Sequence, residues 1–184
     1  MNSIKLMMEE HQNILKMIAV VRKACYQILD GEVINYQDFA NMIDFIRTYA
    51  DDHHHGKEEK FLFNEMVDHL GPAGNKLITH GMLVEHDHGR LLIRDLEEAL
   101  ERVKAGNEES RLDVIANAIG YGNYLTRHIA KEDEIVYTFA ERELSQEILD
   151  KVNQKTKDFE NSSQGHYNRT KYLELLKSLE EKYL

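Results

Sequence analysis

The chain has 184 residues, with 33 acidic against 23 basic side chains and a net charge of −10. There is no Lys/Arg-rich block and no apolar run near the roughly 20 residues of a membrane span, which argues against nucleic acid and membrane as partners. A single cysteine, Cys25, rules out an intrachain disulfide and fits a reducing compartment, so a cytoplasmic protein is expected.

One proline and no long β-branched alternation predict an all-α chain. Ser3 is expected to cap a first helix that stops at Asp30-Gly31. Its apolar stripe is Ile4, Met8, Leu15, Ile18, Val21, Cys25 and Ile28, and His11 falls within it. Asn35 is expected to cap a long second helix, about 36 to 70. Its inward stripe runs Phe39, Met42, Ile46, Ala50, His54, Glu58 and Phe61/Leu62, so two polar residues interrupt an apolar face. His53 and His55 lie about 100° to either side of His54 on an ideal helix and are expected to flank the site. Gly56 is expected to allow close helix approach.

Gly71-Pro72-Ala73-Gly74 is the clearest break. A third helix follows, about 75 to 104, with the stripe Met82/Leu83, His86, Ile93, Leu96 and Leu100. His80 and His88 point away from it, and Arg90 is expected to pair with an acid. The fourth helix, about 107 to 142, carries Val114, Ala118, Tyr121, Leu125, His128, Glu132, Ile135/Val136 and Phe139. Residues 143–184 are read as a helical extension: a short amphipathic helix, a polar loop at 161–165 and a last helix. Packing or oligomer contact is expected of it rather than chemistry.

The informative element is a repeat. His54-x-x-x-Glu58 recurs as His128-x-x-x-Glu132, with the same interval between the two histidines as between the two glutamates. An earlier histidine precedes each copy at a similar distance, His11 and His86. On a helix, residues four apart sit one turn apart on one face, where an imidazole and a carboxylate can ligate one metal. Polar groups inside an apolar stripe cost free energy unless partnered, and a metal would satisfy both. Short loops between four long helices favour an up-down-up-down four-helix bundle over residues 1–142. The inward set is then His11, His54, Glu58, His86, His128 and Glu132. This mixed nitrogen and oxygen set suits iron, manganese or zinc rather than Cu(I) or an iron–sulfur cluster. Two carboxylates at equivalent places can bridge two metals, with a shared oxo or hydroxo group and a position left open for a small molecule.

The segments Glu10-His11-Gln12-Asn13-Ile14, His54 to Phe63, Glu85-His86-Asp87-His88-Gly89-Arg90 and His128-Ile129-Ala130-Lys131-Glu132-Asp133 resemble the hemerythrin-like (HHE cation-binding) family over about 4–140. Ferritin-like proteins instead carry Glu-x-x-His pairs. The resemblance implies a non-haem di-iron centre, two iron ions with an oxo or hydroxo bridge, that meets dioxygen, nitric oxide or peroxide. The oxygen carriers take a fifth histidine from an HxxxH pair on the third helix. Here Met82 and Arg90 stand four residues either side of His86, which predicts a symmetric two-plus-two set. That set is similar to bacterial single-domain members and to the di-iron proteins of iron–sulfur cluster repair. The latter also carry an N-terminal Cys-bearing domain, not seen in this sequence. Asp133, five residues after His128, is the alternative to Glu132. The functions implied are binding or reduction of a small oxidant, or else oxygen or iron sensing through a protein partner. Homo-oligomer contact through the extension is compatible with either.

Overall fold

A computed structural model describes residues 1–184, and no residue lies in a strand. Six continuous helical segments follow one another: α1, Ser3–Leu29; α2, 36–69; α3, 71–104; α4, 108–143; α5, Gln146–Asn161; and α6, Ser163–Tyr183. None is long and apolar enough to cross a membrane.

The ends of the segments follow from local chemistry. Asn2, not Ser3, caps α1: its side chain accepts from the Lys5 N–H at 2.8 Å. Ser3 is instead buried and gives its own backbone N–H to Asn153 Oδ1 at 2.7 Å. Asn35 caps α2 as expected, accepting from the Asp38 N–H at 3.1 Å. Gly31 and Gly106 follow the ends of α1 and α3 with φ of 92° and 96°, a conformation that glycine adopts without a Cβ penalty. The Gly-Pro break is shorter than the sequence suggests. Leu70 alone separates α2 from α3, and α3 starts at Gly71 with Pro72 in its first turn, where no N–H is needed. The loop at 161–165 shrinks to Ser162, whose Oγ accepts from the Gly165 N–H at 3.0 Å.

The interior is two apolar clusters with a polar layer along each helix between them. One cluster joins Met17, Val20, Phe45, Leu96, Val114 and Tyr172, among others, and the second joins Met7, Leu62, Met66, Met82, Tyr137 and Val152. On α1 the change from one to the other falls at Glu10 and His11, on α2 at His53 to Glu58, on α3 at His86 and on α4 at His128 to Glu132. The buried face of α1 is turned slightly from the expected stripe: Met7, Glu10 and Ile14 are buried, while Met8 is 38% exposed. A close approach of α4 to α1 falls at Gly122, where a Cβ would stand 3.0 Å from Ile18 Cγ2. Gly56, expected to serve this purpose, has only ordinary clearance, with its nearest neighbours within α2.

Residues 143–184 pack along the other helices. Val152 enters one cluster, and Tyr172, Leu176 and Leu179 enter the other. Burying each such side chain contributes about 1.5–3 kcal/mol. The Tyr172 hydroxyl donates to Asp44 at 2.8 Å and Tyr183 donates to Asp38 at 2.5 Å, both on α2.

Candidate metal centre

The six residues singled out by the repeat come together in the polar layer. The side chains of His11, His54, Glu58, His86 and Glu132 are fully buried and that of His128 nearly so. Donor atoms of His11, His54, Glu58 and Glu132 lie within 4.8 Å of one another. Glu58 Oε2 stands 3.7 Å from His54 Nε2 and 3.6 Å from His86 Nε2. Glu132 places one oxygen 3.3 Å from His11 Nε2 and the other 3.1 Å from His128 Nε2. Each carboxylate therefore faces imidazoles from both halves of the repeat.

The orientation of the rings is fixed from behind. Every Nδ1 in the cluster meets a carboxylate: His11 meets Asp133 at 2.7 Å, His54 meets Glu10 at 2.9 Å and His86 meets Glu59 at 2.7 Å. His128 meets Glu85 at 2.9 Å. With Nδ1 held, Nε2 faces inward. The Nε2 atoms of these four histidines, Glu58 Oε2 and both oxygens of Glu132 are buried without a hydrogen-bond partner. A buried polar atom left unpaired costs about 1–3 kcal/mol, so seven converging at one point is a strongly unfavourable arrangement for an ordinary core. The donor set fits a bound cation, and carboxylates behind the imidazoles are what metal-binding histidines use to fix ring and tautomer.

A fifth imidazole joins the cluster. His55, expected to flank the site, is buried, stacks on His86 at 3.8 Å between centroids, and groups with His86 and His128 within 4.8 Å. Its Nδ1 meets Asp51 at 3.2 Å. Where the sequence suggested two imidazoles from each half, the layer thus gathers His11 and His54 on one side and His55, His86 and His128 on the other. The cause is local winding. Residues Ile46–His55 and Glu58–Phe63 are π-helical, as are Ile78–Met82 and Glu132–Val136. A wider turn rotates successive residues by less than the 100° of an α-helix, and His53, His54 and His55 are all buried. Such segments occur often at functional sites.

Asp133 makes its close contact with His11 Nδ1, and Glu132 is the carboxylate in the cluster. His80, His88 and His166 are exposed. Arg90 pairs with Asp51, Asp87 and Glu59, as an acid-paired residue should. Tyr121 is buried and lines a cavity of about 240 Å³ that also touches His55, His86, Gly89, Ile93 and Leu125. Tyr137, which the sequence reading passed over, stacks on His11 at 5.7 Å and donates its hydroxyl to Glu58. The carboxylates behind the rings had a signal too: Glu10-His11 repeats as Glu85-His86, and Lys57-Glu58-Glu59 as Lys131-Glu132-Asp133.

Without a metal the cluster is an electrostatic compromise. Burial opposes a charge on His11 and His86, but the Asp133 and Glu59 carboxylates that accept from their Nδ1 atoms, with the Glu132 and Glu58 carboxylates close to Nε2, overcome it and raise both to about 10. Burial and the adjacent Glu132 push Glu58 up to about 8. Burial also disfavours the Glu132 charge, yet His128, His11 and His86 hold it well below the usual carboxylate range. His54 is lowered to about 4 by burial and the His11 charge, and His55 well below its ordinary value by burial and His86. The layer therefore stores protons that a cation would replace.

A helical protein whose buried His and Glu side chains converge, each ring braced by an acid, belongs to the class of metal-binding helical bundles. Residues 2–140 match the family described as Hemerythrin HHE cation binding domain, and the chain belongs to that family. Comparison with curated proteins found no match, and neither did comparison with solved structures.

Proposed function

We propose that this chain is a two-iron hemerythrin-like protein that binds or reduces a small oxidant: dioxygen, peroxide or nitric oxide. The observation that carries this reading is the convergence of four imidazole Nε2 atoms, Glu58 Oε2 and both Glu132 oxygens, buried and unpartnered, with every ring braced at Nδ1. Glu58 and Glu132 face both imidazole groups, so they would be the carboxylates shared by two ions. His11 and His54 would serve one ion, and His55, His86 and His128 the other. The donor set has no thiolate, which suits iron, manganese or zinc. The order in which the first four helices pass through the two apolar clusters alternates. This supports an up-down-up-down bundle with α5 and α6 as an extension.

Bound iron would supply electrons and a coordination position for the small molecule. The chain's own residues do the rest. Two imidazoles against three make the two positions unequal, which favours a small molecule on the two-imidazole side. Tyr137 holds a proton at its hydroxyl beside Glu58 and can stabilise charge there. A cavity of about 240 Å³ lined by Ile93, Tyr121 and Leu125 together with Asp51 and Arg90 reaches His55 and His86, on the three-imidazole side. A second reading, sensing through a protein partner, draws support from the contact that Glu160 on α5 makes with His53, next to His54.

The test is metal content together with near-ultraviolet and visible absorption of aerobically purified protein. The expected result is about two irons per chain, with charge-transfer bands that bleach on reduction. Colourless protein that takes up no iron after anaerobic reconstitution would overturn the reading. Turnover of peroxide or nitric oxide then favours reduction, whereas a metal-dependent change of assembly without turnover favours sensing.

A further inference from the structure

The two halves of the repeat brace their second-helix imidazoles in the same way, but they differ in what lies behind. In one half, Glu85 holds His128 Nδ1 with one oxygen and takes the Lys131 ammonium with the other. Lys131 is 40% exposed, so water can meet its remaining N–H groups. In the other half, Glu10 holds His54 Nδ1 and takes the Lys57 ammonium. Lys57 is fully buried, and water cannot do the same. A buried ammonium needs further acceptors within the protein.

The acceptor comes from α5, beyond the matched residues 2–140. Glu160 Oε1 lies 2.5 Å from Lys57 Nζ and 3.0 Å from His53 Nε2. Its other oxygen is 3.4 Å from Arg169 on α6. Glu160, Glu10 and His53 are all buried. By distance alone Glu10, His53 and Glu160 could hold an ion. The Lys57 ammonium already bonds both carboxylates, so the cation of this cluster is the protein's own.

We propose that Glu160 is a positioning residue for the two-imidazole side of the metal centre, acting through Lys57 and Glu10 on His54. By sharing the Lys57 ammonium, Glu160 keeps one Glu10 oxygen anchored, so that the other stays on His54 Nδ1 and the ring keeps Nε2 inward. The docking of the C-terminal helices is thereby part of the metal centre's geometry, on one side only. A change in how α5 sits, such as a partner could impose, would reach His54 and leave His128 unaffected.

The metal part of this inference rests on the two-metal reading above, so the experiment has a metal-free arm. Protein loaded anaerobically with iron(II) is titrated with a chelator, wild type beside Glu160→Gln, Glu160→Asp and the mirror variant Glu85→Gln. In Glu160→Gln one of the two release steps is expected at about tenfold lower chelator, with the other step unmoved. Glu160→Asp falls between, and Glu85→Gln moves the other step. In metal-free protein labelled at histidine nitrogen, NMR should show faster solvent exchange of the His54 imidazole N–H in Glu160→Gln, with His128 unchanged. Equal movement of both release steps, no movement in a folded variant, or unchanged His54 exchange would overturn the proposal. Wild-type protein without two release steps would sink the two-metal reading, while His54 exchange still decides what Glu160 does. If Glu160→Gln does not fold, Glu160→Asp carries the same two readouts.

Discussion

At the scale of single residues, an imidazole is committed by its second nitrogen. Once a carboxylate holds Nδ1, Nε2 must point the other way, and five rings in this chain are held so. That separates histidines which face the centre from those on the surface. His54→Ala, His55→Ala and Glu132→Ala are each expected to lose metal, whereas His80→Ala and His88→Ala keep it. Equal metal content across the set, by elemental analysis of purified variants, would refute the assignment. His55 is the discriminating member. Ideal α-helical angles put it to one side of His54; the wider turn and the brace from Asp51 place it against His86.

At the scale of elements, the turn between α5 and α6 depends on a missing side chain. A Cβ at Gly165 would stand 2.2 Å from the Phe159 carbonyl oxygen, a contact with backbone that no rotamer relieves. Gly165→Ala is expected to destabilise the fold by roughly 1–3 kcal/mol, read from the denaturation midpoint. Gly56→Ala, at a position with ordinary clearance inside α2, should be neutral or mildly stabilising, by a few tenths to about 1 kcal/mol. A similar loss at both would mean that the tight turn is not the cause. Helix lengths and caps were largely legible from the sequence, since Asn35, Gly31 and Gly106 act locally. The π-helical segments were not, because no local residue type announces a wider turn.

At the scale of the whole molecule, the polar layer is where two apolar clusters meet, and metal and protons compete for it. In the metal-free fold His11 and His86, raised to about 10, are charged at neutral pH and Glu58, raised to about 8, holds its proton. Metal loading at neutral pH must therefore release protons. Apparent metal affinity should rise as pH climbs from neutral towards 10. The sign for the metal-free fold is opposite. A raised imidazole contributes stability that is fully present below its ordinary value of 6.5 and is lost as pH passes through about 10. Calorimetry in buffers of different ionisation heat checks the first point, and melting curves with and without chelator check the second. Loading that releases no protons would contradict this account of the layer.

The sequence by itself determined the helical class, the repeat, and which His and Glu residues interrupt the apolar stripes. Each of these is a matter of spacing along one helix, which periodicity records. It also contained the acids behind the rings, as the recurrence of Glu10-His11 in Glu85-His86 and of Lys57-Glu58-Glu59 in Lys131-Glu132-Asp133. Only the tertiary structure decided which acid braces which ring, because Asp133 and His11, or Glu59 and His86, meet across different helices. It also decided that His55 joins the cluster and that Asp133 stands behind His11. The reach of Glu160 into the first half of the repeat was equally a tertiary matter. Nothing in the pattern around residue 160 resembles the repeat; its role comes from where α5 lies, over a lysine that packing has cut off from water.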